Sequence, residues 1–394
     1  MKPRVRYQIA LLALGWLLLI GLAFRFGLNV FFQKAIDAVT YRVSKIGQSI
    51  SDAEGRGIQR ARQTSRLEYL EPLRPTLDSV AALKDPPQIL YGVYDGAFPD
   101  SFEHFTRFEE KVDYRFPLVS FYAAWGDKPE QRFPLRMVET IERMGSVPVI
   151  TWEPWIVDFD PQIRTNLPPL EEREYASLRA IAKGEYDFYV VPWARAAAAH
   201  KKPIFLRFAH EMNDPYRYPW GPQNGNRPDD FIAAWIHVHQ VFQKMEATNV
   251  IWVWSPHISM PWLEYYYPGD PYVDWIGVGV LNYGNVASWS RWWSFHQILD
   301  KAYPTLVSLK KPIMISELGS LTAGGNMAEW YRQAFYQLGH HYGGGVRAVV
   351  FFNDPADRSM SPDWPLNWTI AQSEETVTLV TAELRRASVF SGSP

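Results

Sequence analysis

Short apolar segments of strand length recur along this 394-residue chain, at 89–94, 116–122, 147–153, 203–211, 250–256, 273–283, 312–319 and 346–353. Longer stretches separate them, and several, such as 229–247, have the apolar spacing of a helix. Strands that are apolar on both faces and alternate with helices predict a parallel sheet that is buried on both sides. Eight such units over about 300 residues predict a (β/α)8 barrel. A doubly wound open sheet is the alternative, but no glycine-rich phosphate-binding turn follows the first strand.

The first 32 residues have a different pattern. Three basic residues precede an uncharged apolar run at 7–24, and mainly apolar residues continue from 26 to 32 after Arg25. The run at 7–24 is near the shortest length that crosses a bilayer, and the basic residues before it favour a cytoplasmic N terminus. We predict a single-pass anchor at 1–32 in the inner membrane, with the rest of the chain on the periplasmic or extracellular side. A cleaved signal peptide is the alternative.

Residues 33–84 are polar, with a short helical repeat. Apolar positions alternate in steps of three and four at Ile36, Val39, Val43, Ile46 and Ile50. This is the spacing of a heptad seam. We predict a helical stalk over 33–84 that either lies against the body of the protein or mediates binding to a partner or to a second copy. The sequence KDPP at 84–87 is a stop signal, and we predict that the main domain spans 85–394.

Composition excludes several classes of protein. The net charge is −2, so there is no overall positive field to attract nucleic acid. The chain has no cysteine, which excludes a disulfide scaffold, a zinc–thiolate site and a thiol nucleophile. Aromatic residues form 15% of the chain and occur in clusters that exceed the needs of a core. Such rings can stack on the flat faces of sugars.

Two glutamates lie at predicted strand ends. The fourth predicted strand ends at His210–Glu211 and the seventh at Glu317, and catalytic groups of a barrel lie where its strands end. Two carboxylates about 5–5.5 Å apart can cleave a glycosidic bond with retention of configuration, one as nucleophile and one as acid/base. The acid must keep its proton near neutral pH through burial and the charge of the other carboxylate. The nucleophile needs hydrogen-bond donors, for which Arg207 and Tyr283 are candidates.

The sequence predicts no metal ion and no cofactor. The segment HEMND at 210–214 is not the zinc-binding motif H-E-x-x-H, because Asp214 stands where the second histidine is required. His237 and His239 lie two positions apart in a predicted helix, so they point to different sides of it.

The segments RFAHEMND (207–214) and YPWG (218–221) together are similar to the strand-four motif of glycoside hydrolase family 26, which belongs to a large clan of retaining (β/α)8 barrels. In that family a histidine precedes the acid/base glutamate, as His210 does here. ISELGS at 315–320 is similar to the strand-seven motif that carries the nucleophile. VDWIGVGVLNY at 273–283 resembles the strand-six segment whose tyrosine contacts the nucleophile. The similarity covers roughly residues 88–380, and the predicted anchor and stalk lie outside it.

The resemblance implies a glycosidase in which Glu211 is the acid/base and Glu317 the nucleophile. It also implies that His210 orients groups at the cleavage subsite and that Tyr283 hydrogen-bonds Glu317. The other residues implied to contact substrate are Trp220 beside Glu211, Trp368 beneath the reactive sugar, Trp152 in the negative subsites, and Asn282 at the end of strand six.

One loop departs from the family pattern. Where a glycine and then an aromatic residue are usual, this chain has Asp214, Pro215, Tyr216 and Arg217. Pro215 restricts the backbone and Arg217 adds a charged donor near the acid/base. The substrate therefore stays open among the classes that the family implies: β-1,4-mannan, mixed-linkage β-glucan and β-1,3-xylan.

The predicted anchor suggests a cellular role. A tethered hydrolase is suited to trimming a polysaccharide as it leaves a synthase in the same membrane, so a synthase or export complex is a candidate partner. The stalk and anchor also favour an alternative, a glycan-binding subunit of such a complex that does not hydrolyse. A transglycosylase is a third hypothesis, because a sugar hydroxyl can intercept the same covalent intermediate.

Overall fold

A computed structural model of the protein describes residues 63–96, 102–286, 290–359 and 363–390. Eight parallel strands close into a barrel in which each strand pairs with the next along the chain and the eighth pairs with the first. The strands are β1 (Leu90–Asp95), β2 (Leu118–Ala124), β3 (Val147–Glu153), β4 (Ile204–Phe208), β5 (Val250–Trp254), β6 (Trp275–Asn282), β7 (Ile313–Ser320) and β8 (Val346–Asn353). The predicted eight-stranded parallel barrel is confirmed.

Helices connect successive strands. In the described part of the chain they include Arg74–Leu77, Val80–Lys84, Glu103–Val112, Leu135–Arg143, Leu170–Arg173, Ser177–Ala182, Asp187–His200, Pro228–Lys244, Phe295–Leu299, Tyr303–Ser308, Met327–His340 and Glu374–Phe390. The helix predicted at 229–247 is the one at Pro228–Lys244, which begins with a proline, a residue that suits the first turn. It buries Phe231, Ala234, Trp235 and Val238, which share one face of the helix.

The N-terminal end of the barrel is closed by apolar side chains. The first residues of four strands belong to one buried cluster: Leu90, Leu118, Val147 and Trp275. Leu77 and Leu83, which precede β1 in the chain, belong to the same cluster. The indole Nε1 of Trp275 donates to the carbonyl oxygen of Leu83 at 2.9 Å. The segment before β1 therefore plugs this end of the barrel.

Arg66 holds the segment before β1 against the body of the protein. Its buried guanidinium forms an ion pair with Glu109 at 2.9 Å and donates to Phe116 O at 2.8 Å and Ser146 Oγ at 2.7 Å. Several partners of this kind offset the cost of burying a charge. The sequence assigned residues 33–84 to a stalk, but one compact unit of the structure runs from Arg66 to Pro394. Residues 66–84 are thus part of the unit that contains the barrel.

The predicted membrane anchor at 1–32 and the heptad positions at 36–50 lie outside the described residues. Among the residues that are described, no helix is long and apolar enough to cross a membrane. The anchor, its orientation and the cellular location stay predictions.

Candidate active site

Glu317 lies within β7, and not at its end as predicted, because the strand continues to Ser320. Near this residue, the pairing of β7 changes register with both of its neighbouring strands. The shift against β6 falls between Val278 and Gly279, and one shift against β8 falls between Ile315 and Leu318. Such an irregularity bends a strand locally and changes the direction of its side chains. The strand can therefore carry a functional side chain before it ends.

Glu211 lies just after β4, in a strained turn. The φ angles of Ala209 and Glu211 are 45° and 52°, in the left-handed region that costs a residue other than glycine about 1 kcal/mol or more. Backbone hydrogen bonds to both neighbouring strands hold the turn. Ala209 N donates to Trp152 O at 3.0 Å, and Glu211 N donates to Ser255 O at 2.7 Å. Strain that neighbours maintain in this way is common at functional sites.

The two carboxylates face one shared space above Gly279 of β6. The point that a Cβ of Gly279 would occupy lies 3.7 Å from Glu211 Oε1 and 3.7 Å from Glu317 Oε2. These two oxygens are therefore no more than twice that distance apart. This bound is compatible with the separation of about 5–5.5 Å between the carboxyl groups of retaining glycosidases. Each glutamate side chain keeps 10% of its surface exposed, so solvent can reach both.

Glu317 is held by two donors on one oxygen. The hydroxyl of Tyr122 donates to Glu317 Oε1 at 2.8 Å, and Arg207 Nη2 donates to the same oxygen at 3.0 Å. Arg207 is buried, and it also donates to Thr151 Oγ1 at 2.9 Å and to Ser255 Oγ at 3.2 Å. Arg207 thus makes the contact that the sequence suggested. These bonds fix the carboxylate while Oε2 faces the space shared with Glu211, as a nucleophile requires.

Glu211 has a different environment. Burial raises the pKa of its carboxyl, and the negative charges of Glu317 and Asp214 raise it further, while His257 and Arg217 oppose them. Arg217 Nη1 donates to Glu211 Oε2 at 3.0 Å. The carboxyl therefore keeps its proton to a higher pH than an ordinary glutamate does, which is what a general acid requires.

His210 is a neutral, fully buried neighbour of the acid. Burial lowers its pKa well below the ordinary value, and the charge of Arg207 acts in the same direction. Its Nε2 lies 3.0 Å from the hydroxyl of Tyr218, and its Nδ1 lies 4.0 Å from Glu153 Oε1. Burial also raises the pKa of Glu153 to about 7. His210 thus lies between Tyr218 and Glu153, and its role at the cleavage subsite stays a prediction.

The prediction that Trp152 lines the sugar-binding surface is wrong. It is fully buried and packs against Trp125 and Trp193, with ring centroids 4.6 and 4.5 Å away. The reason is the alternation of side chains along β3. Thr151 points into the barrel, where it contacts Arg207, so its neighbour Trp152 points outward to the helices.

Trp220 and Trp368 are also fully buried, which corrects their predicted roles as surfaces for sugar. Trp220 stacks on Tyr218 at 4.7 Å, and its Nε1 donates to His210 O at 2.7 Å. Trp368 donates to Asp357 Oδ2 at 2.9 Å. Its ring packs edge-on against Tyr283, with centroids 4.9 Å apart. Because neither indole is exposed, neither can contact a ligand. Both tryptophans instead pack against residues of the site.

Asn282 is likewise a structural residue in this arrangement, not a residue with a free amide for substrate. Its Nδ2 donates to Ser320 Oγ at 3.0 Å. Its Oδ1 accepts hydrogen bonds from the backbone N–H groups of Gly284 at 3.2 Å and Trp293 at 3.1 Å. The side chain joins the ends of β6 and β7 to the loop that follows β6.

Tyr122 is a functional residue that the sequence did not reveal. It pairs with Thr151 across β2 and β3, and Thr151 pairs with Arg207 across β3 and β4. The three side chains therefore form one layer at the mouth of the barrel, and two of them hold Glu317. Only the strand register brings them together, so no local motif could have identified Tyr122.

Several exposed rings lie on loops that follow the strands, at the same end of the barrel as the glutamates. Their exposed fractions are 80% for Tyr216, 64% for Trp262, 60% for Tyr265 and 76% for Trp364. Tyr216 follows β4, Trp262 and Tyr265 follow β5, and Trp364 follows β8. The aromatic surplus in the sequence indicated such rings, but only the structure separates them from the buried ones.

Comparison with known proteins supports a relationship to glycosidases. The model of the family described as glycosyl hydrolase family 26 matches residues 171–330. Endoglucanase H of Acetivibrio thermocellus is 33% identical over 238 residues, which are 58% of this chain and 24% of that protein. Mannan endo-1,4-β-mannosidase A and B of Caldalkalibacillus mannanilyticus is 29% identical over 122 residues, which are 29% of this chain and 21% of that protein.

A solved structure has the same fold. The family 26 β-mannanase of Bacteroides ovatus is 15% identical, with a TM-score of 0.54, and the match covers 81% of this chain and 94% of that one. The chain is thus similar in sequence to glycosyl hydrolase family 26, a class of O-glycosyl hydrolases, and the match to the solved structure shows the fold alone. This chain spans only about a quarter of the length of Endoglucanase H.

Proposed function

We propose that this protein is a membrane-tethered, retaining endo-β-glycanase that hydrolyses a polysaccharide of the β-1,4-mannan or mixed-linkage β-glucan type. The observation that carries the proposal is the pair of buried carboxylates that face one space above Gly279. They differ in their partners. Glu317 is held by Tyr122 and Arg207, whereas burial raises the pKa of Glu211. This difference supports Glu317 as the nucleophile and Glu211 as the acid/base.

The reaction has two steps. In the first, a carboxylate oxygen of Glu317 attacks the anomeric carbon while Glu211 gives its proton to the glycosidic oxygen, so that the leaving sugar departs and a glycosyl ester forms. In the second, Glu211, now a carboxylate, takes a proton from water, whose oxygen attacks the same carbon and releases Glu317. Two inversions leave the configuration retained. Arg217, whose Nη1 donates to Glu211 Oε2 at 3.0 Å, would stabilise the carboxylate form of Glu211 between the steps.

The substrate class rests on two observations. The relatives named above are an endoglucanase and a mannan endo-mannosidase, which favour a β-linked glucan or mannan. The exposed rings of Tyr216, Trp262, Tyr265 and Trp364 lie on loops after three different strands, at the catalytic end of the barrel. Rings spread in this way could stack on several sugars of one chain, which favours cleavage within a polymer.

The cellular part of the proposal rests on the sequence of residues 1–32. We propose that this segment anchors the enzyme in the inner membrane, with the barrel on the exported side, where it trims a polysaccharide as it emerges from a synthase. Fractionation of cells, followed by protease treatment of intact spheroplasts, tests this. The barrel should be in the membrane fraction and should be degraded from outside. Recovery of a shortened chain in the soluble exported fraction would favour a cleaved signal peptide.

Activity is tested with the full-length chain, purified in detergent and incubated with β-1,4-mannan, glucomannan, mixed-linkage β-glucan and β-1,3-xylan. We expect new reducing ends on at least one mannan or glucan, and products whose first-formed anomer is β. Glu317→Ala and Glu211→Ala should lose this activity, whereas Glu246→Gln, an exposed glutamate that lies between the helix Pro228–Lys244 and β5, should keep it.

Other outcomes separate the alternatives. Saturable binding of a glycan without cleavage by the wild-type chain would overturn the hydrolase and favour a glycan-binding subunit. Products longer than the substrate would favour a transglycosylase. A first-formed α anomer would contradict the retaining mechanism.

A further inference from the structure

Three potential metal ligands meet on helices outside the β-barrel. His296 lies in the helix Phe295–Leu299, Asp300 follows that helix, and His341 follows the helix Met327–His340. Nε2 of His296 lies 3.6 Å from Asp300 Oδ2, and Nε2 of His341 lies 4.0 Å from Asp300 Oδ1. The side chains are 44%, 50% and 56% exposed in sequence order, so an ion could reach them from solvent.

The distances are close to those of a zinc site. One donor atom from each of the three residues lies within 4.8 Å of the other two. In a tetrahedral site with bonds of about 2.0–2.1 Å, neighbouring donor atoms are about 3.4 Å apart. The observed distances of 3.6 and 4.0 Å involve different oxygens of Asp300, and side-chain rotations would bring one of these oxygens to that distance from both nitrogens. The three residues could then occupy three positions, with solvent at the fourth.

A buried tyrosine orients the two imidazole rings. The hydroxyl of Tyr342 lies 2.8 Å from Nδ1 of His296. The ring of Tyr342 packs edge-on against His341, with centroids 4.9 Å apart and planes at 89°. A metal-binding histidine commonly uses its second nitrogen for a hydrogen bond that fixes the ring. Because Tyr342 occupies Nδ1 of His296, Nε2 is the nitrogen that faces Asp300.

We propose that His296, Asp300 and His341 bind one divalent transition-metal ion, with Zn²⁺ as the ion that fits best. Two imidazoles and one carboxylate suit zinc and its neighbours among the late first-row metals, whereas Ca²⁺ and Mg²⁺ prefer sites made of oxygen. The ion would connect the helix Phe295–Leu299, which lies between β6 and β7 in the chain, to the helix Met327–His340, which follows β7. It would stabilise the part of the barrel that carries Glu317 without taking part in cleavage of a glycan.

The test uses the full-length chain, purified without a polyhistidine tag and treated with a chelator. Calorimetric titration with Zn²⁺ should show saturation at one equivalent, and the melting temperature should rise as the site fills. Co²⁺ should give the visible absorption of a tetrahedral nitrogen and oxygen site. Asp300→Asn and His341→Ala should each weaken Zn²⁺ binding at least tenfold. Tyr342→Phe should weaken it about 10–100-fold by releasing the ring of His296.

His340→Ala is the matched control. His340 is exposed and adjacent to the site in sequence, but its Nδ1 is paired with Tyr336 O at 2.8 Å. This variant should bind Zn²⁺ like the wild type, and so should Glu317→Ala, which makes the result independent of the proposed glycanase activity. The proposal is overturned if no one-equivalent binding occurs, if His340→Ala loses as much affinity as His341→Ala, or if Mg²⁺ competes equally with Zn²⁺.

Discussion

The two ends of the barrel are built in opposite ways from the same strands. At the N-terminal end, the first residues of the strands pack with Leu77 and Leu83 in an apolar plug. At the C-terminal end, Arg207, Glu211 and Glu317 are all buried, and Ala209 and Glu211 have left-handed backbone angles. The N-terminal end contributes stability by removing apolar surface from water. The C-terminal end keeps charges and strain in place, which costs stability and makes chemistry possible.

The difference has an energetic basis. Full burial of a leucine side chain contributes about 1.5–3 kcal/mol to stability, whereas a buried charge costs several kcal/mol unless partners offset it. Arg207 has such partners in Glu317, Thr151 and Ser255. Substitutions at the two ends should therefore affect different properties, and the predictions below test this separation.

The largest effect is expected for Glu317→Gln at the C-terminal end. The variant keeps an oxygen for Tyr122 and Arg207 but loses the nucleophile, so activity should fall on the order of 10⁴-fold or more. The melting temperature should fall as well, because the buried Arg207 loses its counter-charge although the hydrogen bonds are largely kept, so rates are compared well below the melt of both proteins. Initial rates on the best glycan and a thermal melt check both statements. Rates near those of the wild type would show that Glu317 is not the nucleophile.

Leu83→Ala at the N-terminal end should lower stability without lowering the catalytic rate. It opens a cavity in the plug, so we expect a loss of about 2–5 kcal/mol in the free energy of unfolding, while kcat at temperatures well below the melt stays unchanged. Denaturant titration and initial rates measure the two quantities. Leu135→Ala is the control, because Leu135 is 47% exposed and should cost less than about 0.5 kcal/mol. A large fall in kcat for Leu83→Ala would show that the two ends are coupled.

Glu153→Gln tests the cost of the polar end through its pH dependence. Burial raises the pKa of Glu153 from 4.5 to about 7. In that window the folded protein binds more protons than the unfolded chain, so its free energy of unfolding falls as pH rises. The glutamine side chain cannot ionise, so the free energy of unfolding of Glu153→Gln does not fall in this way. The variant should be more stable than the wild type above about pH 7, by about 1–3 kcal/mol. Below pH 4.5 this advantage should disappear.

Denaturant titrations of both proteins at several pH values provide the measurement for Glu153. Glu246→Gln, an exposed substitution outside the site, should show no such difference. If Glu153→Gln were less stable than the wild type at every pH, the ionised carboxylate would stabilise the folded state.

The smallest effect is expected for Arg217→Gln. The positive charge of Arg217 opposes the rise in the pKa of Glu211, so its removal should raise that pKa further. A general acid works when protonated, and the alkaline limb of the pH profile of kcat/KM should therefore move up, on the order of one pH unit. Arg217→Lys should keep most of the wild-type profile. An unchanged limb with a raised KM would show that Arg217 binds substrate and does not tune the acid.

By itself, the sequence determined the barrel and the two glutamates. The eight apolar segments predict strands because periodicity and turn residues act locally, and β3 and β8 begin and end at the predicted residues. Glu211 and Glu317 could be found because each stands in a short motif at a strand of the predicted barrel. Functional residues that lie in a short local motif can be identified from the sequence.

Apart from Arg207, which the sequence suggested, tertiary structure decided which side chains surround those glutamates. Tyr122 reaches Glu317 through strand register, and Glu317 lies at an irregularity in β7 that no spacing of apolar residues reveals. The sequence predicted that Trp152 and Trp220 bind sugar, but both rings are packed in the interior of the protein. The physical reason is the same in each case: the face that a side chain presents depends on pairing and packing with segments far away in the chain.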